Sequence, residues 1–484
     1  MGQPLSLPLK GQSSEGLLEE MEAMRGRDIQ WRDGQAWSLV FDPGEEIREF
    51  VKSAYGLFIS ENALNPSAFP SLRRMENETV SMVSGLLGGD GQVCGNLTTG
   101  GTESILMAVK AARDHALKKN PRLTQPEIVL PVSAHPAFEK AAHYFGLRPV
   151  HVALRSDFRA NVKATRKALS KRTVLMVASA PSYPQGVVDP IVEMARVAVE
   201  ADVLFHVDAC VGGMMLPFVK ALGYPVPAFD FAVPGVTSMS VDLHKYGYAA
   251  KGSSLILFRN AELRRPMFFA YTDWPGGIYA SPTMTGTRPG GAIAASWAIL
   301  KHLGFEGYRD IAQEVMETTV ALKTGIGQID GVEVLGRPHM SVFAIGSEAV
   351  DIYEVGDQMQ AKGWHLDRQQ FPPCLHITVN RAHVKSAGRF LEDLRDAVAL
   401  SQKEPIIRLA DKGKLLFAAG AAKVLPSGIT SKLTQAATSL LGVEGAELPG
   451  RSAAMYGMMG ALPNRGDLKE VVLDLLDKMT RMDP

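Results

Sequence analysis

Three short stretches carry residue types whose order could serve one chemistry. Thr98-Thr99-Gly100-Gly101-Thr102-Glu103-Ser104 stands where an apolar stretch gives way to a helical one. Glycines there let backbone N–H groups and the positive end of a helix come close to an anion such as a phosphate. Thr102 and Ser104 would equally suit a plain helix cap. His206-Val207-Asp208-Ala209-Cys210 ends an apolar strand and leaves Asp208 at its carboxyl end. A carboxylate there needs a partner, which could be a protonated ring nitrogen, a metal or an arginine. Ser240-Val241-Asp242-Leu243-His244-Lys245-Tyr246-Gly247 closes a third such run with a His-Lys pair. A lysine beside small residues in a pocket is desolvated, which predicts a lowered pKa and a nucleophilic amine at Lys245. None of the three decides anything alone. Together, a phosphate cradle, an acid for a ring nitrogen and a Schiff-base lysine meet the requirements of pyridoxal 5'-phosphate.

The elements that must position these residues follow from periodicity. Glu127–Pro131, Pro149–Leu154, Thr173–Ala178, Val203–Val207 and Ser253–Phe258 read as buried strands. Thr102–Lys118, Pro136–Phe145 and Pro190–Glu200 between them read as helices. That alternation predicts an α/β fold with a mostly parallel sheet covered by helices on both faces, whose ligands sit at the carboxyl ends of the strands. Before it, Gly11 to Gly34 is polar and charged, and Glu45 to Phe58 reads as an amphipathic helix. After it the pattern turns α+β. Arg309–Thr324, Asp351–Lys362, Val384–Leu400 and Leu468–Met479 read as helices, Ser341–Ile345 and Leu375–Val379 as strands, and 420–455 as a loop. The division expected is an N-terminal segment (1–60), a large cofactor-binding domain (61–303) and a small α+β domain (304–484).

Composition narrows the classes further. Hydrophobic residues are 46% and charged residues 21% of 484, which excludes a wholly disordered or fibrous chain. The 51 basic residues balance the 51 acidic ones, against the basic excess of a nucleic-acid binder. No apolar run is long enough to span a membrane. Cys94, Cys210 and Cys374 are sparse and far apart, so a reducing compartment and a cytoplasmic location are expected. No metal site is expected, because His115, His143, His151, His302, His339 and His376 show no ligand spacing. Met1-Gly2-Gln3-Pro4-Leu5-Ser6 lacks the regions of a signal peptide, and its loose fit to an N-myristoylation pattern is read as chance. The nucleotide-binding glycine fingerprints are missing.

The motifs in this order resemble the fold-type-I pyridoxal phosphate enzymes of the group II decarboxylase clan, and within it the sphingosine-1-phosphate lyases. Supporting stretches are Ala134-His135-Pro136-Ala137-Phe138, Phe69 to Glu76, Gly235 to Met239, Lys251 to Leu255, Thr272 to Pro282, Gly286 to Gly291 and Gln370 to Pro373. The likeness runs over roughly 40–480. It implies a seven-stranded, mostly parallel central sheet and a smaller α+β C-terminal domain. It implies Lys245 as the Schiff-base lysine, Asp208 on the pyridine nitrogen and His135 stacked on the ring. Gly100, Gly101, Thr102 and His244 would hold the cofactor phosphate, and Thr287 would reach it from a neighbouring subunit. A homodimer with sites at its interface follows. Lys251 matches a lysine that contacts the substrate phosphate.

Two positions depart from that pattern. Asn65 stands where the lyases carry a histidine, and Phe41 where they carry a tyrosine. Asn65 cannot carry a positive charge, and Phe41 has no hydroxyl. The favoured expectation is an aldehyde-lyase that cleaves the Cα–Cβ bond of a phosphorylated long-chain amino alcohol. The two departures keep open a decarboxylase or small-substrate aldolase on the same scaffold, with Arg288 steering a carboxylate. A catalytically silent paralogue is the third reading, disfavoured by Lys245 and Asp208.

Overall fold

The computed structural model describes residues 6–403 and 465–480. At its centre lies a seven-stranded sheet. Its strands in chain order are β1 (Cys94–Thr98), β2 (Glu127–Pro131), β3 (Arg148–Val152), β4 (Thr173–Ser179), β5 (Leu204–Asp208), β6 (Ser238–Asp242) and β7 (Ser254–Phe258). They lie side by side as β1-β7-β6-β5-β4-β2-β3. The five from β3 to β6 are parallel, and β7 runs antiparallel to both β6 and β1. The mostly parallel sheet expected from the sequence is therefore present. β1 carries only a weak strand signal, because Gly95 and Asn96 interrupt its apolar pattern.

Helices before and within this domain are α1 (Ser14–Met24), α2 (Glu45–Leu57), α3 (Pro70–Leu86), α4 (Gly101–Lys119), α5 (Ala137–Phe145), α6 (Val162–Ala168), α7 (Ile191–Glu200), α8 (Leu216–Ala221) and α9 (Ala261–Arg264). The strands show why helices cover both faces. Ile128 and Leu130 of β2 and Leu175 and Val177 of β4 pack with Ile105, Leu106 and Phe138 of α4 and α5. The alternate residues Val129, Met176 and Ala178 pack with Ile191, Met194 and Ala195 of α7. Successive side chains of a strand point to opposite faces, so apolar residues at every position need a cover on each side.

A two-stranded hairpin, β8 (Phe269–Trp274) and β9 (Gly277–Ser281), follows, and every residue of β8 is exposed. The long helix α10 (Gly290–Ile326) then leads into the small domain. It is bent at Gly304, whose φ of 57° breaks the helical geometry and which glycine adopts without steric cost. The helix expected over Arg309–Thr324 is its second half. The small domain has the antiparallel sheet β10-β11-β13-β12, formed by β10 (Glu333–Val334), β11 (Val342–Gly346), β12 (Asp367–Gln369) and β13 (Cys374–Thr378). α11 (Ile352–Ala361), α12 (Ala387–Lys403) and α13 (Arg465–Thr480) complete the helices among the described residues. α12 begins later than expected, because Asn380 caps a separate short turn at Arg381–Val384. The whole of the loop read at 420–455 and of Met1–Leu5 lies outside the described residues.

The segment before α2 is stitched to the small domain. The Trp37 N–H donates to the His365 carbonyl (3.1 Å), and the Thr378 N–H to the Trp37 carbonyl (2.8 Å). Trp37 is fully buried and stacks on His383 at 4.1 Å. The strap 36–42 thus crosses from the small domain to the large one, beside the carboxyl ends of the central strands.

Candidate active site

A cavity of about 480 Å³ opens at the carboxyl ends of β5 and β6. Its walls include Gly100, Gly101, Thr102, His135, Asp208, His244 and Lys245. Seven residues singled out in the sequence, spread over 146 positions of chain, are thereby brought together. Glu103, Cys210, Asp242, Met284 and Thr285 also line it, without a role assigned from the sequence.

Local chemistry explains each placement. Helix α4 starts at Gly101 with no side-chain cap, so its first N–H groups face the cavity. A Cβ on Gly101 would stand 2.7 Å from Asp242 Oδ1 and 2.9 Å from Cys210 Sγ. Only glycine lets the helix start this close to the end of β6. Glu103 fixes the turn before it. Its Oε2 accepts from the N–H and the hydroxyl of Thr99, both at 2.6 Å, and its Oε1 accepts from the Met284 N–H at 2.8 Å. Asp208 ends β5, where its Oδ1 accepts from the Cys210 N–H and the Ser240 hydroxyl, both at 3.1 Å. His206, two residues earlier, lies fully buried between the hydroxyls of Ser238 and Ser240. Burial pushes its pKa down to about 4, so the ring there is neutral. The Nδ1 of His135 accepts from the Ala137 N–H at 3.1 Å, which leaves Nε2 to carry the proton of a neutral ring.

Lys245 corrects one expectation. Burial does work to lower its pKa, but the Asp242 carboxylate, with Oδ2 3.0 Å from Nζ, outweighs burial and raises it above the ordinary lysine range. The sequence reading missed the ion pair because it gave Asp242, three residues before Lys245, no role. His244 behaves in the opposite way. Burial and the ammonium groups of Lys251 and Lys245 lower its pKa against the pull of Asp242. Its Nδ1 is buried and has no hydrogen-bond partner.

Five singled-out residues, Lys251, Phe41, Asn65, Thr287 and Arg288, stand outside this cavity. Lys251 is the nearest, with Nζ donating to the carbonyls of Leu39 (3.0 Å) and His244 (3.4 Å). The same ammonium lies 5.6 Å from the ring centroid of Phe41, which packs edge-on against Tyr246. Burial and Lys245 lower the Lys251 pKa. Asn65 and Thr287 are exposed and sit on neighbouring segments, since the Ala63 N–H donates to the Arg288 carbonyl at 3.0 Å. Asn65 Oδ1 accepts from the Ser67 N–H, closing a local turn.

Arg288 corrects a second expectation. Its guanidinium is buried and makes a two-pronged ion pair with Glu76, at 2.5 and 2.9 Å, besides a bond to the Leu97 carbonyl. It ties α3 to β1 and does not offer its charge to a carboxylate in the cavity.

The arrangement fits pyridoxal phosphate. A cradle that a Cβ would fill, an orphaned His244 nitrogen, a buried carboxylate and a lysine face one cavity of small-molecule size. Comparison with known proteins agrees. The pyridoxal-dependent decarboxylase conserved domain matches residues 2–344. Sphingosine-1-phosphate lyase 1 of Rattus norvegicus is 44% identical over 413 residues, 85% of this chain and 72% of that one. Sphingosine-1-phosphate lyase of Dictyostelium discoideum is 46% identical over 397 residues, 82% of this chain and 74% of that one. Among solved structures, a sphingosine-1-phosphate lyase of Burkholderia pseudomallei superposes with a TM-score of 0.80 at 41% identity, covering 86% of this chain and 97% of that one.

Proposed function

The chain belongs to the pyridoxal-dependent decarboxylase family, and from that premise we propose that it is a pyridoxal phosphate-dependent aldehyde-lyase. It cleaves the Cα–Cβ bond of a phosphorylated long-chain amino alcohol of the sphingosine 1-phosphate type, giving phosphoethanolamine and a fatty aldehyde. The observation that carries this reading is the convergence of the α4 start, Asp208 and Lys245 on one cavity, with Lys251 beside it.

The residues divide the work by position. The first N–H groups of α4, Thr102 and His244 would hold the cofactor phosphate, where the helix dipole favours negative charge. Asp208 would keep a proton on the pyridine nitrogen, and His135 would lie against the ring. Bound there, the cofactor supplies an electron-withdrawing ring that takes up the electrons of the breaking bond. Lys245 would be the amine that holds the cofactor covalently, and as an ammonium it would be placed to return a proton to Cα of the substrate. Lys251, whose partners in this structure are neutral carbonyls and an aromatic face, keeps an uncompensated charge for the substrate phosphate. The carboxylate-steering role in the decarboxylase alternative has lost its residue, because Arg288 is committed to Glu76.

The same proposal includes a homodimer and a cytoplasmic location. Exposed Phe269, Tyr271, Trp274 and Ile278 on the hairpin, next to the segments bearing Thr287 and Asn65, suit a face covered by a second copy. The three cysteines are free thiols, as a reducing compartment would leave them.

The test is product analysis. The cofactor-loaded protein is incubated with a phosphorylated sphingoid base, and fatty aldehyde and phosphoethanolamine are followed by mass spectrometry. Both should form, and Lys245→Ala should abolish them. Absence of both products from the loaded wild type, with carbon dioxide released from an amino acid instead, would overturn the lyase reading.

A further inference from the structure

Lys245 needs two protonation states, and one neighbour bears on both. To bond to the cofactor, Nζ must first lose a proton to solvent. The neutral amine then attacks the aldehyde carbon, water leaves, and a carbon–nitrogen double bond forms. When the substrate arrives as an ammonium, its nitrogen takes over that carbon. Lys245 then leaves with the displaced proton, once more as an ammonium. A free ammonium on a four-carbon stem has rotamer freedom and a strong pull towards water. Something must hold it.

Asp242 is built for that. It is the last residue of the fully buried strand β6, and its N–H donates to the Cys210 carbonyl at 3.3 Å. Its side chain is 2% exposed, and its Oδ2 lies 3.0 Å from Lys245 Nζ and 3.7 Å from His244 Nε2. Its Oδ1 is buried without a hydrogen bond, against the start of α4. A buried carboxylate is costly to hold in place unless it has a cation to serve. The other groups around Lys245 do not replace it. Asp208 already accepts two hydrogen bonds, Glu103 is spent on Thr99 and Met284, and Cys210 is held as a neutral thiol by burial. His135, Lys251 and, from β13, the buried His376 bring no negative charge.

We propose that Asp242 is the positioning residue that receives the Lys245 ammonium each time the substrate amine displaces it, keeping the lysine charged and inside the site. The inference rests on the reading of the cavity as a pyridoxal phosphate site. It makes cofactor capture slower at neutral pH in exchange for a retained proton donor.

The experiment uses full-length apoenzyme and pyridoxal phosphate. Formation of the carbon–nitrogen double bond is followed by visible absorbance across pH, with borohydride trapping and peptide mass to locate it on Lys245. Asp242→Asn keeps the shape and removes the charge. Its midpoint for bond formation should fall by about one pH unit or more, the size of effect an opposite charge at this distance exerts. Asp242→Ser, a second neutral variant, should shift it the same way, and Asp242→Glu should restore it towards wild type. In turnover, the two neutral variants should lose kcat with little change in KM. An unchanged midpoint in both neutral variants, with Lys245 trapped normally, would overturn the role of Asp242 and leave the cofactor reading intact. Failure of wild type to trap cofactor on Lys245 would overturn both.

Discussion

Gly101→Ala concentrates the logic of the cavity in one methyl group. The backbone at Gly101 is ordinary helix, so alanine meets no conformational barrier there. The obstacle is space. The new Cβ would lie 2.7 and 2.8 Å from the two Asp242 oxygens and 2.9 Å from Cys210 Sγ. Comfortable contact is about 3.5–4.0 Å, so each neighbour must yield by most of an ångström. Neither can retreat into solvent, since Asp242 is 2% and Cys210 7% exposed. Overpacking of this kind costs about 1–3 kcal/mol. The strain is relieved by drawing the start of α4 away from the phosphate. Cofactor affinity should therefore weaken by roughly 5- to 150-fold, the equivalent of that energy. Equilibrium titration of the apoenzyme with pyridoxal phosphate measures it directly. Gly56→Ala in α2, where no atom lies within 4 Å of the added Cβ, controls for glycine replacement as such. Unchanged affinity in Gly101→Ala would refute the claim that this close approach makes the cradle.

Three further outcomes follow from other parts of the molecule. Glu76→Gln leaves the buried Arg288 charge without its partner and should cost about 3–5 kcal/mol of stability, read by denaturant unfolding. Lys251→Met should raise KM for a phosphorylated substrate by on the order of tenfold or more, through loss of a charged hydrogen bond, and leave cofactor absorbance unchanged. Acid should destabilise the protein. Burial holds His206, His339, His376 and His383 down at about 4, and a histidine with a depressed pKa stabilises above its unfolded value of 6.5 and loses that contribution as pH falls through 4. Asp189 acts oppositely, because burial raises it to about 6 and its contribution is lost as pH rises through that value. Unfolding monitored between pH 6.5 and 4 should therefore show a net uptake of about three protons, four from the histidines less one from Asp189.

How much was legible in the sequence can be seen in particular residues. Glu127–Pro131 and Thr173–Ala178 announced themselves as buried strands, because a strand covered on both faces carries an unbroken apolar run, here Ile128–Leu130 and Val174–Ala178. Gly100, Gly101, Asp208 and Lys245 were legible because their chemistry is local: each type is chosen for its own turn, helix start or strand end. β1 was not, since its pairing with β7 is made across more than 150 residues and compensates for Gly95 and Asn96.

Partnership was the part that only the folded chain decided. Residue type alone gave Lys245 a lowered pKa and Arg288 a free charge. The first is reversed by Asp242 at 3.0 Å, the second by Glu76 from 212 positions away. Phe41 reads as a loss of a hydroxyl, yet it brings an aromatic face beneath Lys251, and the strap that carries it is anchored in the small domain. The physical reason is the same throughout. A side chain's identity fixes what it can donate, accept or bury, and those capacities are written in the sequence. Its charge state and its availability depend on which other groups lie within a few ångströms, and in a low-dielectric interior those neighbours come from wherever the sheet and its helices bring the chain together.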